Sequence, residues 1–242
     1  MSHRETPFEQ PFVRWAHWYD ELYASRGRAP EREVAAIKHN FEWISMDAAR
    51  LRILDVGCGT GVHWPALSEF GEVVGIDRCP EMLAVAKARY PQGNWRLGEL
   101  RDMRVSGKFD AVTMLFAVCA YANSNDEARA LLQSAASHLM PGGALVVSIE
   151  FVRETLRPPE ARSARVVRAG VTLVRDSHAV VRRSPDGSEH LVTTLTFRNA
   201  AGEPLWQEEH RHLIASRDAW KDWLSKALEV GGARSCLHVR QS

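Results

Sequence analysis

The chain has 242 residues, with 31 Lys and Arg against 30 Asp and Glu and a formal net charge of +1. That length suits one large α/β domain or a core carrying an insertion, and the near-neutral balance argues against a nucleic-acid or membrane-surface partner. No apolar run approaches a membrane span, the first ten residues are polar, and Cys58, Cys79, Cys119 and Cys236 are too scattered for a metal or disulfide set, so the expected compartment is the cytoplasm.

The pattern from Phe12 to Ser25 predicts a helix with Trp15, Trp18, Tyr19, Leu22 and Tyr23 near one face. Gly27 and Pro30 interrupt it, and a second helix is expected from Glu31 to Met46. The aromatic stripe reads either as core packing or as a lid of aromatics over a cofactor mouth, with Tyr19, Tyr23 and Arg26 as the lid candidates.

Leu51 to Val56 is a buried strand, and it runs directly into the turn Gly57-Cys58-Gly59-Thr60-Gly61. Three alternating glycines let the backbone bend tightly and bring N–H groups close to a ligand, with a helix from Val62 to Phe70 starting at the same place. The spacing is G-x-G-x-G rather than the G-x-G-x-x-G of a dinucleotide fold. Asp55 lies two residues before the first glycine. A carboxylate there repels a pyrophosphate but suits a ligand with ammonium and sulfonium charges, such as S-adenosylmethionine.

A second strand, Glu72 to Asp77, ends in an acid that can accept from both hydroxyls of a ribose. A helix follows from Glu81 to Tyr90, on which Met82 is placed to lean on an adenine. Asn94 to Gly98 is a third strand, and Glu99 with the backbone of Leu100 can meet an exocyclic amine and a ring nitrogen. Phe109 to Phe116 is an apolar central strand, Asp126 to Leu139 an amphipathic helix stopped by Pro141-Gly142-Gly143, and Ala144 to Glu150 a fifth strand. Strands alternating with helices give an α/β, doubly wound, mostly parallel Rossmann-like sheet with its ligand at the carboxyl ends of the strands.

The pattern then changes. Ala164 to Arg183, His190 to Arg198 and Pro204 to Ile214 read as three antiparallel strands, an antiparallel β insertion carrying His178, His210 and His212. His210 and His212 share a strand face, a spacing that permits a metal pair. The preferred reading is no metal, and either exposed histidines or one facing substrate. A capped helix from Ser216 and a last strand from Arg234 to Val239 complete the chain. The expected division is 1–50 as a helical cap, 51–152 as the cofactor-binding core, 153–214 as the insertion (a substrate lid or dimer interface) and 215–242 as the returning helix and strand.

Taken together, Ile53 to Gly61, Val74 to Asp77, Gly98 to Asp102, Phe109 to Val112 and Leu139 to Gly143 occur in the order found in class I S-adenosylmethionine-dependent methyltransferases, which the chain resembles over about residues 50 to 150. The resemblance implies S-adenosyl-L-methionine as cofactor, with Gly57, Cys58, Gly59 and Gly61 at its methionine part. It places Asp77 on the ribose with Arg78 beside it, Glu99 and Leu100 on the adenine, and the segment from Met114 to Phe116 at the amino end. Tyr19-Asp-x-x-Tyr23, the Gly98-x-x-Arg-Asp102 loop and the insertion are similar to the amino-sugar N-methyltransferases of antibiotic biosynthesis, which implies a small-molecule amine substrate and a homodimer. Where such enzymes carry a histidine after the fourth strand, this chain has Tyr121.

The expected chemistry is an in-line methyl transfer in which alignment carries most of the rate. Tyr19, Tyr23 and Phe116 can face the cationic sulfonium. Tyr121 is the candidate to orient an amine. A hydroxyl acceptor needs a stronger base, for which His178, His210 or His212 is available. The competing readings are an O- or C-methyltransferase, an NAD-type oxidoreductase and a non-catalytic partner subunit of the same fold.

Overall fold

The computed structural model describes residues 8–44, 50–103, 105–157, 160–229 and 234–239. In chain order these form β1 (Phe8–Glu9), α1 (Tyr19–Ala24), α2 (Pro30–Ile44), β2 (Leu51–Val56), α3 (Trp64–Ser68), β3 (Gly71–Asp77), α4 (Pro80–Arg89) and β4 (Asn94–Leu97). There follow β5 (Phe109–Met114), α5 (Asn125–Ala136), β6 (Leu139–Ile149), β7 (Arg162–Arg168), β8 (Val171–Arg183), β9 (Glu189–Arg198), β10 (Pro204–Ile214), α6 (Arg217–Leu228) and β11 (Arg234–Val239).

Six strands make one sheet in the order β11-β6-β5-β2-β3-β4, and every neighbouring pair is parallel. Both faces are covered, as a parallel sheet requires. Val34, Ile37 and Leu67 of α2 and α3 pack on Ile53, Val73, Ala111 and Val146. The alternate residues Leu54, Val112, Leu145 and Val147 meet α5 and α6 through Leu131, Leu132, Trp220 and Leu224. Ser124 and Ser216 cap these two helices by accepting from the N–H groups of Glu127 and Ala219 at 3.1 Å.

The second sheet has the order β1-β10-β9-β8-β7. Its last four strands are antiparallel neighbours, whereas β1 joins β10 in parallel, with Phe8 opposite Gln207 and Glu9 opposite Glu208. Val166, Leu173, Leu195, Phe197 and Trp206 give this sheet an apolar face. Trp15, Tyr19 and Leu22 lie against it, with Met82 and Val85 of α4 in the same cluster. The N-terminal aromatics thus form the layer between the insertion and the core.

Several boundaries differ from the expected ones. The first helix is not continuous from Phe12: that residue has φ 74°, outside helical space, and regular α structure begins only at Tyr19 after a short 3₁₀ turn over Ala16–Trp18. The end of the second helix expected at Met46 lies outside the described residues. The long strand expected from Ala164 to Arg183 is a hairpin, because Ala169 and Gly170 both have positive φ, 47° and 78°, and form a two-residue turn. The helix before β6 ends at Ala136. Pro141-Gly142-Gly143 does not stop it but lies inside β6, where the pairing with β5 skips from Phe109–Leu139 to Ala111–Ala144.

Phe197 is fully buried, stacked on Trp206 at 4.5 Å between ring centroids and 5.2 Å from Trp15. Phe197→Ala is expected to cost about 3–5 kcal/mol of stability, read as a lowered urea midpoint at unchanged slope.

Candidate functional site

A cavity of about 900 Å³ lies between the carboxyl ends of the parallel strands and the antiparallel sheet. The glycine turn lines it with Gly57, Cys58 and Gly59. Gly57 has φ 69°, and a Cβ there would come within 2.5 Å of Val118. Gly59 has φ 54° with open space where a Cβ would stand. Both are backbone conformations that side chains disfavour, and both leave the turn's main chain bare toward the cavity. Asp77 fixes the turn from β3: one carboxylate oxygen accepts from the Gly59 N–H and the other from the Cys79 N–H, each at 2.8 Å. Burial pushes the Asp77 carboxyl up, and these two N–H groups oppose that rise without cancelling it.

Most of the sequence candidates converge on this cavity. Tyr19, Tyr23, Arg26, Asp77, Arg78, Met82, Glu99, Leu100, Phe116 and Tyr121 all line it. Asp55, Gly61 and Met114 do not. Asp55 is buried at the end of β2 and accepts from the Thr113 hydroxyl at 2.7 Å, so its carboxylate ties the glycine turn to β5 instead of facing a ligand. Gly61 packs under the turn, where a Cβ would meet Trp95 at 2.6 Å. Met114 points into the core between the sheet and α5.

The aromatic layer closes the cavity from above. Tyr19 and Tyr23 have centroids 4.7 Å apart, and Tyr23 meets Phe116 edge-on at 5.0 Å. Asp20 pins α1 to the turn by accepting from the Thr60 hydroxyl at 2.8 Å, and to α4 through Arg89 at 2.5 Å. Four non-glycine residues among those described have positive φ, and three of them (Phe12, Phe116 and Ala117) line the cavity. Such strain gathers where a site is held in place by its surroundings.

Arg28 is the residue here that sequence reasoning missed. Gly27, at φ 81°, turns the chain back so that Arg28 is buried, with its guanidinium 3.5 Å from the Phe116 ring centroid. Its Nε donates to Glu33 at 3.3 Å, and Glu33 also bonds the His63 ring at 2.7 Å. Arg26, the arginine expected at the mouth, is exposed on the cavity rim. Apart from the Gly27 break, nothing in the sequence distinguished the two arginines.

A second group comes from the insertion. On β10 the alternate residues Trp206, Glu208 and His210 are buried on one face, with His212 half-buried beyond them. Glu208 accepts from the Trp15 indole N–H at 2.7 Å, the Phe12 backbone N–H at 3.1 Å and the Trp206 indole N–H at 3.3 Å. The His210 ring joins Glu208 through Nε2 at 3.1 Å and the Tyr121 hydroxyl through Nδ1 at 3.0 Å. His212 is sandwiched by Phe151 at 4.3 Å and Tyr121 at 4.6 Å, and burial pulls its pKa down to about 3. His178 is a correction: on β8 it is Arg175, Ser177 and Ala179 that line the cavity, so strand alternation turns His178 outward to solvent. Nothing local singled out Glu208, since every residue from Gln207 to His212 is polar. Among the described residues no group of three His, Cys, Asp or Glu is placed to hold a metal.

The remaining wall is mainly cationic, with Glu150 and Glu160 among its arginines. Arg26, Arg157, Arg162 and Arg175 line it. Arg175 is 2% exposed, its guanidinium lies 5.1 Å from the Tyr23 ring and 5.6 Å from Trp15, and its Nε and Nη1 have no hydrogen-bond partner among the described residues. Although Arg26 is exposed on the rim, the cavity wall desolvates part of its guanidinium and lowers its pKa, and the charges of Arg175 and Arg162 lower it further.

A bare glycine turn at the end of a parallel strand, an acid on the next strand and aromatic rings above suit an S-adenosylmethionine site. A methyltransferase domain is recognised over residues 53–143. The chain is 30% identical over 207 residues to a dTDP-3-amino-3,6-dideoxy-alpha-D-glucopyranose N,N-dimethyltransferase of Streptomyces fradiae, covering 85% of this chain and 80% of that one. The protein belongs to the S-adenosylmethionine-dependent methyltransferases. Its fold is similar to that of DesVI of Streptomyces venezuelae, with a TM-score of 0.72, 28% identity and 89% and 90% of the two chains covered. It is also similar to SAM-bound CalS10, an amino pentose methyltransferase of Micromonospora echinaspora, with a TM-score of 0.71, 27% identity and 93% and 91% covered.

Burial alone would raise the Glu33 carboxyl, but the His63 hydrogen bond and the Arg28 charge outweigh it and hold the pKa at about 2, against an ordinary 4.5. A carboxyl depressed on folding contributes stability that is complete above its unfolded pKa and is lost as pH falls toward the folded one. Stability is therefore expected to drop between about pH 4.5 and 2. Glu33→Gln should flatten that part of an acid-unfolding curve.

Proposed function

We propose that this protein transfers methyl groups from S-adenosylmethionine to the amino nitrogen of a nucleotide-linked amino sugar. The observation that carries this reading is Arg175, a buried guanidinium with two nitrogens that have no partner among the described residues, on a cavity wall that also bears Arg26 and Arg162. A buried cation left without an acceptor is costly, and a diphosphate supplies several charged acceptors at once. The substrates named for its relatives support the same chemistry: an amino sugar joined to dTDP in one, an amino pentose in another.

The bare main chain of Gly57 and Gly59 fits the methionine end of the cofactor, and Arg28, buried beside Phe116, suits its carboxylate. Asp77 keeps lone pairs toward the cavity beyond the two backbone N–H groups it accepts, which fits a ribose diol. Glu99 and Leu100 line the same cavity and are the proposed adenine contacts. When bound, the cofactor supplies an activated methyl group on a sulfonium, which leaves as a neutral sulfide. The rings of Tyr19, Tyr23 and Phe116 face a cation there, and together with α1 they shed water from it. Tyr121 presents its hydroxyl to the amine, and the arginine wall fixes the sugar nucleotide at its other end, so that the reaction runs on alignment.

The activity is assigned to the cytoplasm and to a homodimer. No described helix is long and apolar enough to cross a membrane. Light scattering measures the proposed dimer.

The test is incubation with methyl-labelled cofactor and a panel of amino-sugar nucleotides, phenols and amino acids. Label on the amino-sugar nucleotides is expected; label on the phenols alone would overturn the reading. Arg175→Met should raise KM for the nucleotide substrate by about tenfold or more, as expected for a lost hydrogen bond to a charged group, at unchanged cofactor affinity. Asp77→Asn should weaken S-adenosylhomocysteine binding by about 1.5–3 kcal/mol in titration calorimetry.

A further inference from the structure

We infer that Tyr121, His210 and Glu208 form a proton relay that deprotonates the substrate's ammonium before methyl transfer. The inference rests on the amine acceptor proposed above.

An amine on a sugar is largely protonated near neutral pH, and an ammonium has no lone pair with which to attack. Each methylation therefore needs one proton removed, and a second methylation on the same nitrogen needs another. The geometry of the three residues fixes their hydrogen-bond directions. The indole N–H groups of Trp15 and Trp206 and the backbone N–H of Phe12 can only donate, and all three point at Glu208. Glu208, fully buried, is thus an acceptor, and His210 meets it with a protonated Nε2 at 3.1 Å. That leaves Nδ1 bare. At 3.0 Å it accepts the Tyr121 O–H, so the lone pairs of the Tyr121 oxygen are free toward the cavity that Tyr121 lines.

The transfer balances. An N–H bond of the ammonium breaks as an O–H bond forms on Tyr121, whose own O–H proton moves to Nδ1 of His210. The result is a neutral amine with its lone pair free, an unchanged tyrosine, and an imidazolium whose Nε2–H rests on the Glu208 carboxylate. The imidazolium gives the proton to water when the product leaves.

His212, the neighbour of His210 at 6.3 Å, is kept neutral by burial, its pKa being pulled down to about 3. Burial also raises the Tyr121 phenol well above its usual range, so the tyrosine passes a proton without itself ionising. The other titratable and charged groups around the relay are Tyr19 and Tyr23 of α1, Arg78 over the Tyr121 ring at 5.9 Å, Glu150 at the end of β6, and His190 acting on His212. Tyr121 is the catalytic residue in this scheme; His210 and Glu208 act through it as positioning residues.

Two measurements test the relay. The first is nitrogen NMR of His210 in the protein bound to S-adenosylhomocysteine. The Nε2–H tautomer is expected, and the Nδ1–H tautomer would overturn the relay whatever the substrate proves to be. The second is the pH profile of kcat on an amino-sugar nucleotide for wild type, Tyr121→Phe, His210→Asn and Glu208→Gln. Tyr121→Phe keeps the ring and so its packing, which covers the case in which a β10 variant does not fold. Each folded variant should lose about 10²-fold in kcat near neutral pH, the scale of general-base assistance. The loss should shrink as pH rises and the amine deprotonates unaided, with S-adenosylhomocysteine affinity unchanged. Wild-type kcat in Tyr121→Phe, or a loss equal at every pH, would sink the relay. A wild type that methylates no amino-sugar nucleotide would instead sink the amine reading, and the tautomer would still decide the geometry.

Discussion

The structure depends on a single buried carboxylate. Glu208 has no exposure to solvent, and the groups converging on it come from two distant parts of the chain: Phe12 and Trp15 from the N-terminal segment, Trp206 and His210 from its own strand. A charge in that position is tolerable only with its hydrogen bonds made. Making them brings the N-terminal aromatics onto the antiparallel sheet, and that contact encloses the cavity. Asp20 completes the enclosure from the other side by holding α1 to the glycine turn and to α4.

The enclosed space has a charge pattern suited to a two-ended guest. Asp77 and Glu99, at and after the ends of β3 and β4, stand near Arg78 and Arg101, whereas on the opposite wall Arg26, Arg157, Arg162 and Arg175 outnumber Glu150 and Glu160. Between them stand uncharged rings. In such a low-dielectric gap each fixed charge acts with little screening.

The parallel half was legible in the sequence because its signals are local: apolar runs, a glycine turn and strand-end acids. The second half was legible as strands but not as a site. The hairpin at Ala169-Gly170 was hidden because only one of its two turn residues is glycine. His178 was chosen as a histidine, although one step of the two-residue strand period carries Arg175 to the cavity and His178 to solvent. Asp55 illustrates the limit of charge reasoning. Its place beside the turn was read correctly, but which way a side chain points at a strand end depends on its neighbours, and here Thr113 takes it. Glu208 could be found only once two segments nearly 200 positions apart were brought together (|i−j| of 196 for its bond with Phe12).

The short strand β1 lies against the edge of β10, with Glu9 opposite Glu208 in register. An open edge of a sheet is ordinarily a hazard for aggregation, and here Phe8 and Glu9 cover it at Gln207 and Glu208. The same stretch leads straight into the donors that hold the buried carboxylate. Changes to this segment therefore touch the chemistry as well as the sheet edge, since the backbone that pairs with β10 also delivers the indole and amide protons on which the tyrosine–histidine pair is seated.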